Sequence, residues 1–280
     1  MSHSSGRRAY DCPVPGSFYI PLGDGEWRAT GHTAGPWDPG AQHGGPPSAL
    51  LGRAMRRCQP RPDMMITRVT CEILRPIPVG DITVAARVVR PGGRVELLEA
   101  SATADGREVA RATAWRVLRT SAPAAPPPQA PPPPLPEPAP AGPPAWGDSG
   151  YSAAIEWRGA RGSFHFPGPA AMWTRMRYAL VAGEEPAPLD RVLVSADSGS
   201  GASWELDFNG WLFINPELTV HLHREPAGEW ICLDAHTTIT PGGAGLATSA
   251  LSDLDGPVGV AAQSLLITPR QAPPAGSAPV

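Results

Sequence analysis

The sequence predicts an α+β protein in which one helix against an antiparallel sheet is built twice. Three observations predict it. Residues 217–223, Glu-Leu-Thr-Val-His-Leu-His, alternate strictly, with Leu218, Val220 and Leu222 to one side and Glu217, Thr219, His221 and His223 to the other. Period-two alternation over such a run marks a half-buried strand. About half the chain earlier, residues 68–76 (Arg-Val-Thr-Cys-Glu-Ile-Leu-Arg-Pro) echo it, with Thr70 and Arg75 at the spacing of Thr219 and Arg224. Downstream of both copies the punctuation recurs in order: Gly80-Asp81 and Gly228-Glu229, then Pro91-Gly92-Gly93 and Pro241-Gly242-Gly243, then Asp105-Gly106 and Asp255-Gly256. Matches in register read as a tandem duplication.

The elements follow in order. Residues 1–14 read as a disordered tail, and residues 18–28 as a hairpin around Gly23-Asp24-Gly25. Residues 31–45, rich in Gly and Pro, exclude regular structure. A helix is expected at about 47–58: Pro46-Pro47 suits a helix start, and Arg53, Arg56 and Arg57 gather where the helix dipole favours cations. Strand 68–76 leads to strands 82–89, 95–102 and 109–118, joined by turn residues. Residues 120–147 are dominated by Pro and read as an extended linker. In the second half, 152–157 and 163–166 are strand candidates, and 172–181 fits both helix and strand spacing. A helix at about 188–197 ends in the loop Asp197-Ser198-Gly199-Ser200-Gly201. Strands 217–223, 230–240, 246–251 and 258–267 complete the half, and residues 270–280 form a second tail. The folded units are thus 15–119 and 148–269.

Composition bounds the function. Hydrophobic residues make up 41 % of the 280 residues, and the formal charge of −3 gives no nucleic-acid surface. All 23 basic residues are Arg, so no single Arg signals a function by its type. Cys12, Cys58, Cys71 and Cys232 match no zinc or redox spacing and read as free thiols of a reducing cytosol. No apolar run reaches the ~18 residues of a membrane span. No apolar segment follows the basic N-terminus as a signal peptide requires, so a soluble cytoplasmic protein is expected.

One helix wrapped by an antiparallel sheet, present twice, is the double-hotdog plan. The chain resembles the thioesterase-like superfamily of tandem-hotdog acyl-CoA thioesterases. The residues that carry the resemblance are His43-Gly44-Gly45-Pro46-Pro47-Ser48-Ala49-Leu50-Leu51, Leu74-Arg75-Pro76, Asn215 to Pro226, and Val260 to Leu266. The likeness covers nearly all of 18–119 and 150–269. It implies hydrolysis of a fatty-acyl or related thioester of CoA or an acyl carrier, a role in lipid metabolism, and no cofactor or metal. In such enzymes an Asp, a Thr and a Gln of the second hotdog position a water against the thioester carbonyl. Matched strand by strand, these roles fall on Glu217, Thr238 (or Thr237 or Thr240) and Gln263. Glu217 departs from the family Asp, and a misplacement near 1 Å can cost about a hundredfold.

The residues support this chemistry in part. A thioesterase needs a water nucleophile, a base to orient it, and donors for the oxyanion. Gln263 interrupts the apolar run 258–267, and a buried amide needs partners. Glu217 lies on the polar face of its strand, which also suits a plain solvated residue. Its first-half counterpart is Arg68, and that of Gln263 is Ala112 or Thr113, as expected if only one site works. His43, Gly44 and Gly45, before the first helix, are candidates for contacting the substrate and the oxyanion. Asp197, just past the second helix, is the alternative carboxylate and a substrate-binding candidate. His221 and His223, with Asp234 and His236, invite a metal-site reading, but satisfied or solvent-facing histidines explain them better. No serine nucleophile elbow and no dinucleotide-binding glycine motif occurs. Two other readings stand beside hydrolysis: a non-catalytic acyl-CoA or lipid-binding double hotdog, and a hydratase, whose Asp/His loop is missing. A monomer suffices for a double hotdog, while exposed sheet edges leave room for a homo-oligomer.

Overall fold

A continuous sheet, antiparallel except for one short parallel pair at its edge, runs through both halves of the chain and carries two main helices on its inner side. The computed structural model describes residues 16–121, 130–138 and 149–270. The expected tail 1–14, all but residue 270 of the expected tail 270–280, and the outer parts of the linker lie outside these. The first half runs β1 (Ser17–Gly23), β2 (Glu26–Ala29), α1 (Gly45–Arg57), β3 (Met64–Ile73), β4 (Asp81–Arg90), β5 (Val95–Ala104) and β6 (Arg107–Leu118). The second runs α2 (Gly150–Ala154), β7 (Ile155–Arg161), β8 (Ala170–Met176), β9 (Ala179–Val181), α3 (Pro188–Ala196), α4 (Gly199–Ala202), β10 (Trp211–Ile214), β11 (Glu217–Leu222), β12 (Ile231–Ile239), β13 (Ala244–Asp253) and β14 (Gly256–Pro269).

The strand order is β7-β8-β12-β13-β14-β11-β3-β6-β5-β4-β2-β1-β9, with β10 beside β14. Read outward from the centre, the two halves have the same succession. Their junction is the antiparallel pair β3–β11, where Thr70 lies opposite Thr219 and the two hydroxyls meet at 3.2 Å. The two echoing threonines of the sequence therefore mark the middle of the sheet. Asp105 and Gly106 both take positive φ, 48° and 70°, as a two-residue hairpin turn requires.

The helices lie antiparallel on the inner face. Gly52 of α1 packs on Leu189 and Leu193 of α3, and Gly45 approaches the Val194 carbonyl. Buried Ala100, Ala102, Ala112 and Ala114 line β5 and β6 beneath α1, their small side chains leaving room for the helix. The core joins Leu50, Leu51, Met55 and Leu98 of the first half to Val192, Leu193, Leu218 and Leu251 of the second.

Several local expectations are corrected. Residues 152–157 are not one strand, because the Ser149/Ser152 capping box starts the short helix α2 before β7 begins. Residues 163–166 form a turn, with Ser163 Oγ accepting from the His165 N–H at 3.0 Å. Segment 172–181 resolves as strand, where β8 is paired on both sides, by β7 and β12. Residues 31–33 form one 3₁₀ turn inside the expected irregular stretch, and residues 199–202 a helical turn inside the expected glycine loop. Strand β10 has no counterpart in the sequence reading. Among the described residues no helix is long and apolar enough to cross a membrane.

Candidate active site

Helix α1 begins where helix α3 ends, and a carboxylate sits in that junction. Asp197 is the residue after α3 and is 4 % exposed. Its Oδ1 accepts from Asn215 Nδ2 at 2.7 Å and from Gln263 Nε2 at 3.1 Å. The backbone N–H groups of Gly44 and Gly45, at the positive end of α1, also donate to it. Despite four donors, burial dominates and raises the Asp197 pKa from 3.8 to about 7. Gly44 is required sterically: a Cβ there would stand 2.7 Å from Asp197 Oδ2.

Gln263 holds the carboxylate in register. It is 1 % exposed, on the inner face of β14 between Ala261 and Leu265. Its Nε2 donates to the Asp197 carbonyl at 3.0 Å as well as to the side chain, and its Oε1 accepts from the Ser200 N–H at 3.0 Å. One amide thus ties the strand to both the end of α3 and the start of α4.

His43 closes the other side. Its ring stacks on Tyr151 with centroids 3.7 Å apart, and the Tyr151 hydroxyl donates to the Val194 carbonyl at 2.7 Å. His43 Nδ1 accepts from the Gly45 N–H at 3.2 Å and lies 3.2 Å from Asp197 Oδ2. Burial pushes the His43 pKa down to about 3, so the ring is neutral and its contact with Asp197 is not an ion pair. The Gly45 N–H bond marks Nδ1 as the bare ring nitrogen, so the neutral ring carries its proton on Nε2. A protonated Asp197 donates to that same Nδ1.

His43, Gly44 and Asp197 line a cavity of about 540 Å³. Ser198, Ser200, Asn215, Gln42, Asp38 and Arg75 add to its polar lining. Trp37, Ile73, Leu212, Phe213, Phe208 and Leu266 are among its apolar walls, and Trp37 packs edge-on against Phe213 with centroids 5.0 Å apart. Such a volume and such a lining are typical of a small-molecule site.

Of the predicted residues, the structure brings together His43, Gly44, Gly45, Asp197 and Gln263. It does not bring Glu217 or Thr238 to them. Both are out of phase with the core. Leu218 and Val220 point inward on β11, so Glu217 points outward, where its Oε1 accepts from the Ser264 N–H at 2.6 Å and its Oε2 accepts from Thr219 Oγ1 at 3.1 Å. Thr238 is exposed beside His236. The inward residue is Thr237, 5 % exposed, whose hydroxyl meets Ser203 Oγ at 2.8 Å. Asn215, missed by the sequence reading, has one available signal: it stands two residues before a core-phased strand and beside Pro216. His221 is exposed, and among the described residues no group of three or more His, Cys, Asp or Glu side chains is arranged to hold a metal.

The opposite helix junction shows how the two halves diverge. Thr70 faces Thr113 as Thr219 faces Ala262, so the counterpart of Gln263 is Ala114, fully buried, and not Ala112 or Thr113. At that end, where α1 finishes and α3 starts, Arg53 makes a two-pronged ion pair with Glu184 at 2.8 and 2.6 Å. Arg116, also buried, donates to Glu96 at 2.5 Å and to the Cys58 and Gln59 carbonyls past the end of α1.

Comparison with known proteins defines the class. A model of the acyl-CoA thioesterase C-terminal domain matches residues 123–267, and one of the N-terminal domain matches residues 33–117. The first match alone spans more than half of the chain, and the chain belongs to the acyl-CoA thioesterase family. Solved structures share the tandem hotdog fold. An acyl-CoA thioesterase II from Mycobacterium marinum is 16% identical, with a TM-score of 0.63 over 90% of this chain and 96% of that one. A protein classed as a thioesterase from Novosphingobium aromaticivorans DSM 12444 is 21% identical, with a TM-score of 0.68 over 90% and 98%. A hot dog fold protein of unknown function from Alicyclobacillus acidocaldarius is 17% identical, with a TM-score of 0.67 over 90% and 96%. No curated protein matches the chain.

Proposed function

We propose that this chain hydrolyses acyl-CoA thioesters by direct attack of water, and that Asp197 is its general base. The observation that carries the reading is a buried carboxylate whose pKa of about 7 places its charge change at working pH, in the lining of a largely apolar cavity. The acyl group lies along the Trp37, Phe208 and Phe213 walls, each buried CH₂ contributing about 0.8 kcal/mol. Asp197 takes a proton from the water as its oxygen bonds to the thioester carbon. The C–S bond then breaks, and the proton passes to the departing thiolate, which leaves as free CoA.

Gln263 and Asn215 hold Asp197 toward the cavity, while neutral His43 keeps its bare Nδ1 beside the carboxyl as an acceptor for its proton. Gly44 and Gly45 direct their N–H groups to the carboxylate in the resting site. The positive end of α1 meanwhile supplies the potential that a developing oxyanion needs. Glu217, the carboxylate the strand match favours, is replaced in this role because its side chain leaves the opposite face of the sheet.

The test is release of free CoA from acyl-CoAs of short to long chain, with wild type, Asp197→Asn and Glu217→Ala in parallel. Turnover that survives in Glu217→Ala and vanishes in Asp197→Asn is expected. Loss only in Glu217→Ala would return the role to that residue. Absence of turnover with calorimetric binding of acyl-CoA would make the chain a binding protein.

A further inference from the structure

The proline-rich segment between the halves is seated on the protein. In residues 130–138, Ala-Pro-Pro-Pro-Pro-Leu-Pro-Glu-Pro, every residue is a proline or stands directly before one. Proline fixes φ and keeps its predecessor out of the α region, so the segment takes the polyproline II form, with about three residues per turn. Its burial has that period: residues 131, 134 and 137 are exposed, while 132, 133, 135 and 136 are half-buried.

The surface beneath is built to match. The Pro133 carbonyl accepts from Trp173 Nε1 at 3.0 Å, and the Pro136 carbonyl accepts from Arg158 Nη1 at 3.0 Å. These two carbonyls are one polyproline turn apart and face the same side. Leu135 packs with Trp173, Trp230 and Cys232. The Arg158 guanidinium lies 4.5 Å over the Trp230 ring, and Glu156 fixes it through Nε at 3.1 Å and Nη2 at 2.8 Å. Strand β8 explains why a cover is needed. Met172 faces inward with Ala202 and Ala235, so Trp173 faces outward, yet it is 1 % exposed.

Aromatic walls with fixed donors one turn apart are what recognition of a polyproline II ligand requires. We infer that the outer face of β7, β8 and β12 is a polyproline II receptor. Its resident ligand is this chain's own residues 130–138, and a proline-rich peptide takes the groove when that strap is released. The inference is independent of the hydrolase reading, since Asp197 lies on the other side of the sheet and its assay does not report on the strap.

The experiment uses the full chain with Pro133→Gly, Leu135→Ser and Pro136→Gly together. The probe is a synthetic peptide of residues 130–138, followed by tryptophan fluorescence and calorimetry. The triple variant is expected to bind one peptide saturably, and wild type to bind none because its groove is filled. Adding Trp173→Phe to the triple variant removes one donor and weakens the peptide about three- to tenfold. A folded triple variant that binds no peptide, or wild type that binds it equally well, would overturn the inference. If the triple variant does not fold, Leu135→Ser alone serves the same comparison, with peptide binding expected in it and not in wild type. Dimers of wild type that the peptide dissociates would show the strap exchanged between copies and overturn its assignment to its own chain.

Discussion

Exchange of Asp197 for asparagine keeps the shape of the site and removes its charge. A carboxyl whose pKa rises from 3.8 unfolded to about 7 folded favours the native state while protonated and loses roughly 4 kcal/mol of that advantage on ionising. The sign follows from the direction. The contribution is fully present below about pH 4, falls as pH rises toward 7, and is gone above it. The amide of Asp197→Asn does not titrate, so the wild-type minus variant difference in unfolding free energy must shift by roughly 4 kcal/mol against wild type between pH 4 and pH 8. The substitution has its own cost. The amide oxygen still accepts from Asn215 and Gln263, but the new NH₂ meets the N–H groups of Gly44 and Gly45, for about 1–3 kcal/mol at every pH. Urea unfolding at a series of pH values separates the two effects, because only one depends on pH. In parallel, kcat/KM of wild type should fall below pH 7 as Asp197 protonates, and the variant should lose about a thousandfold or more. A flat difference curve, or a variant within tenfold of wild type, would refute the assignment of Asp197.

Glu217→Ala should leave kcat/KM within about threefold and cost about 1 kcal/mol or less in urea unfolding, from its exposed bond to the Ser264 N–H. Gln263→Ala should lower kcat by about 10- to 1000-fold. It should also destabilise the chain by about 1–3 kcal/mol, because the buried Ser200 N–H loses its acceptor; steady-state kinetics and thermal unfolding read the two effects. Gly44→Ala is acceptable to the backbone, with φ −66° and ψ −19°, but its Cβ presses on Asp197 Oδ2. It should cost about a hundredfold in kcat/KM with the circular dichroism spectrum unchanged.

The scaffold was legible because two periodicities and one repeat agree. The turn residues placed the strands, and α1 and α3 fall within a few residues of their predicted spans. The site was legible only in part. Gln263 stood out as an amide in core phase among apolar neighbours. Glu217 and Thr238 lie apart from the candidate site, and their phase was readable: Leu218 and Val220 assign Glu217 to the outer face, and Ala235 and Thr237 do the same to Thr238. Strand matching chose residue type over phase. Asp197 carries no periodic signal, since it follows a helix and precedes a glycine turn. What distinguishes it is α1 arriving from far away in the chain with two N–H donors, and no local pattern encodes that.

The Arg53–Glu184 and Arg116–Glu96 pairs occupy the junction opposite the candidate site. A twofold homodimer would have to repeat every residue, so each change at one junction would be imposed on the other. One chain carrying both halves escapes that symmetry. Here one helix junction buries a carboxylate that is costly to ionise, while the other is closed by complementary charges. Since the candidate site draws His43 and Gly44 from one half and Asp197 and Gln263 from the other, neither half holds the whole cluster. Cutting the chain in two would scatter that cluster until each fragment found its complement.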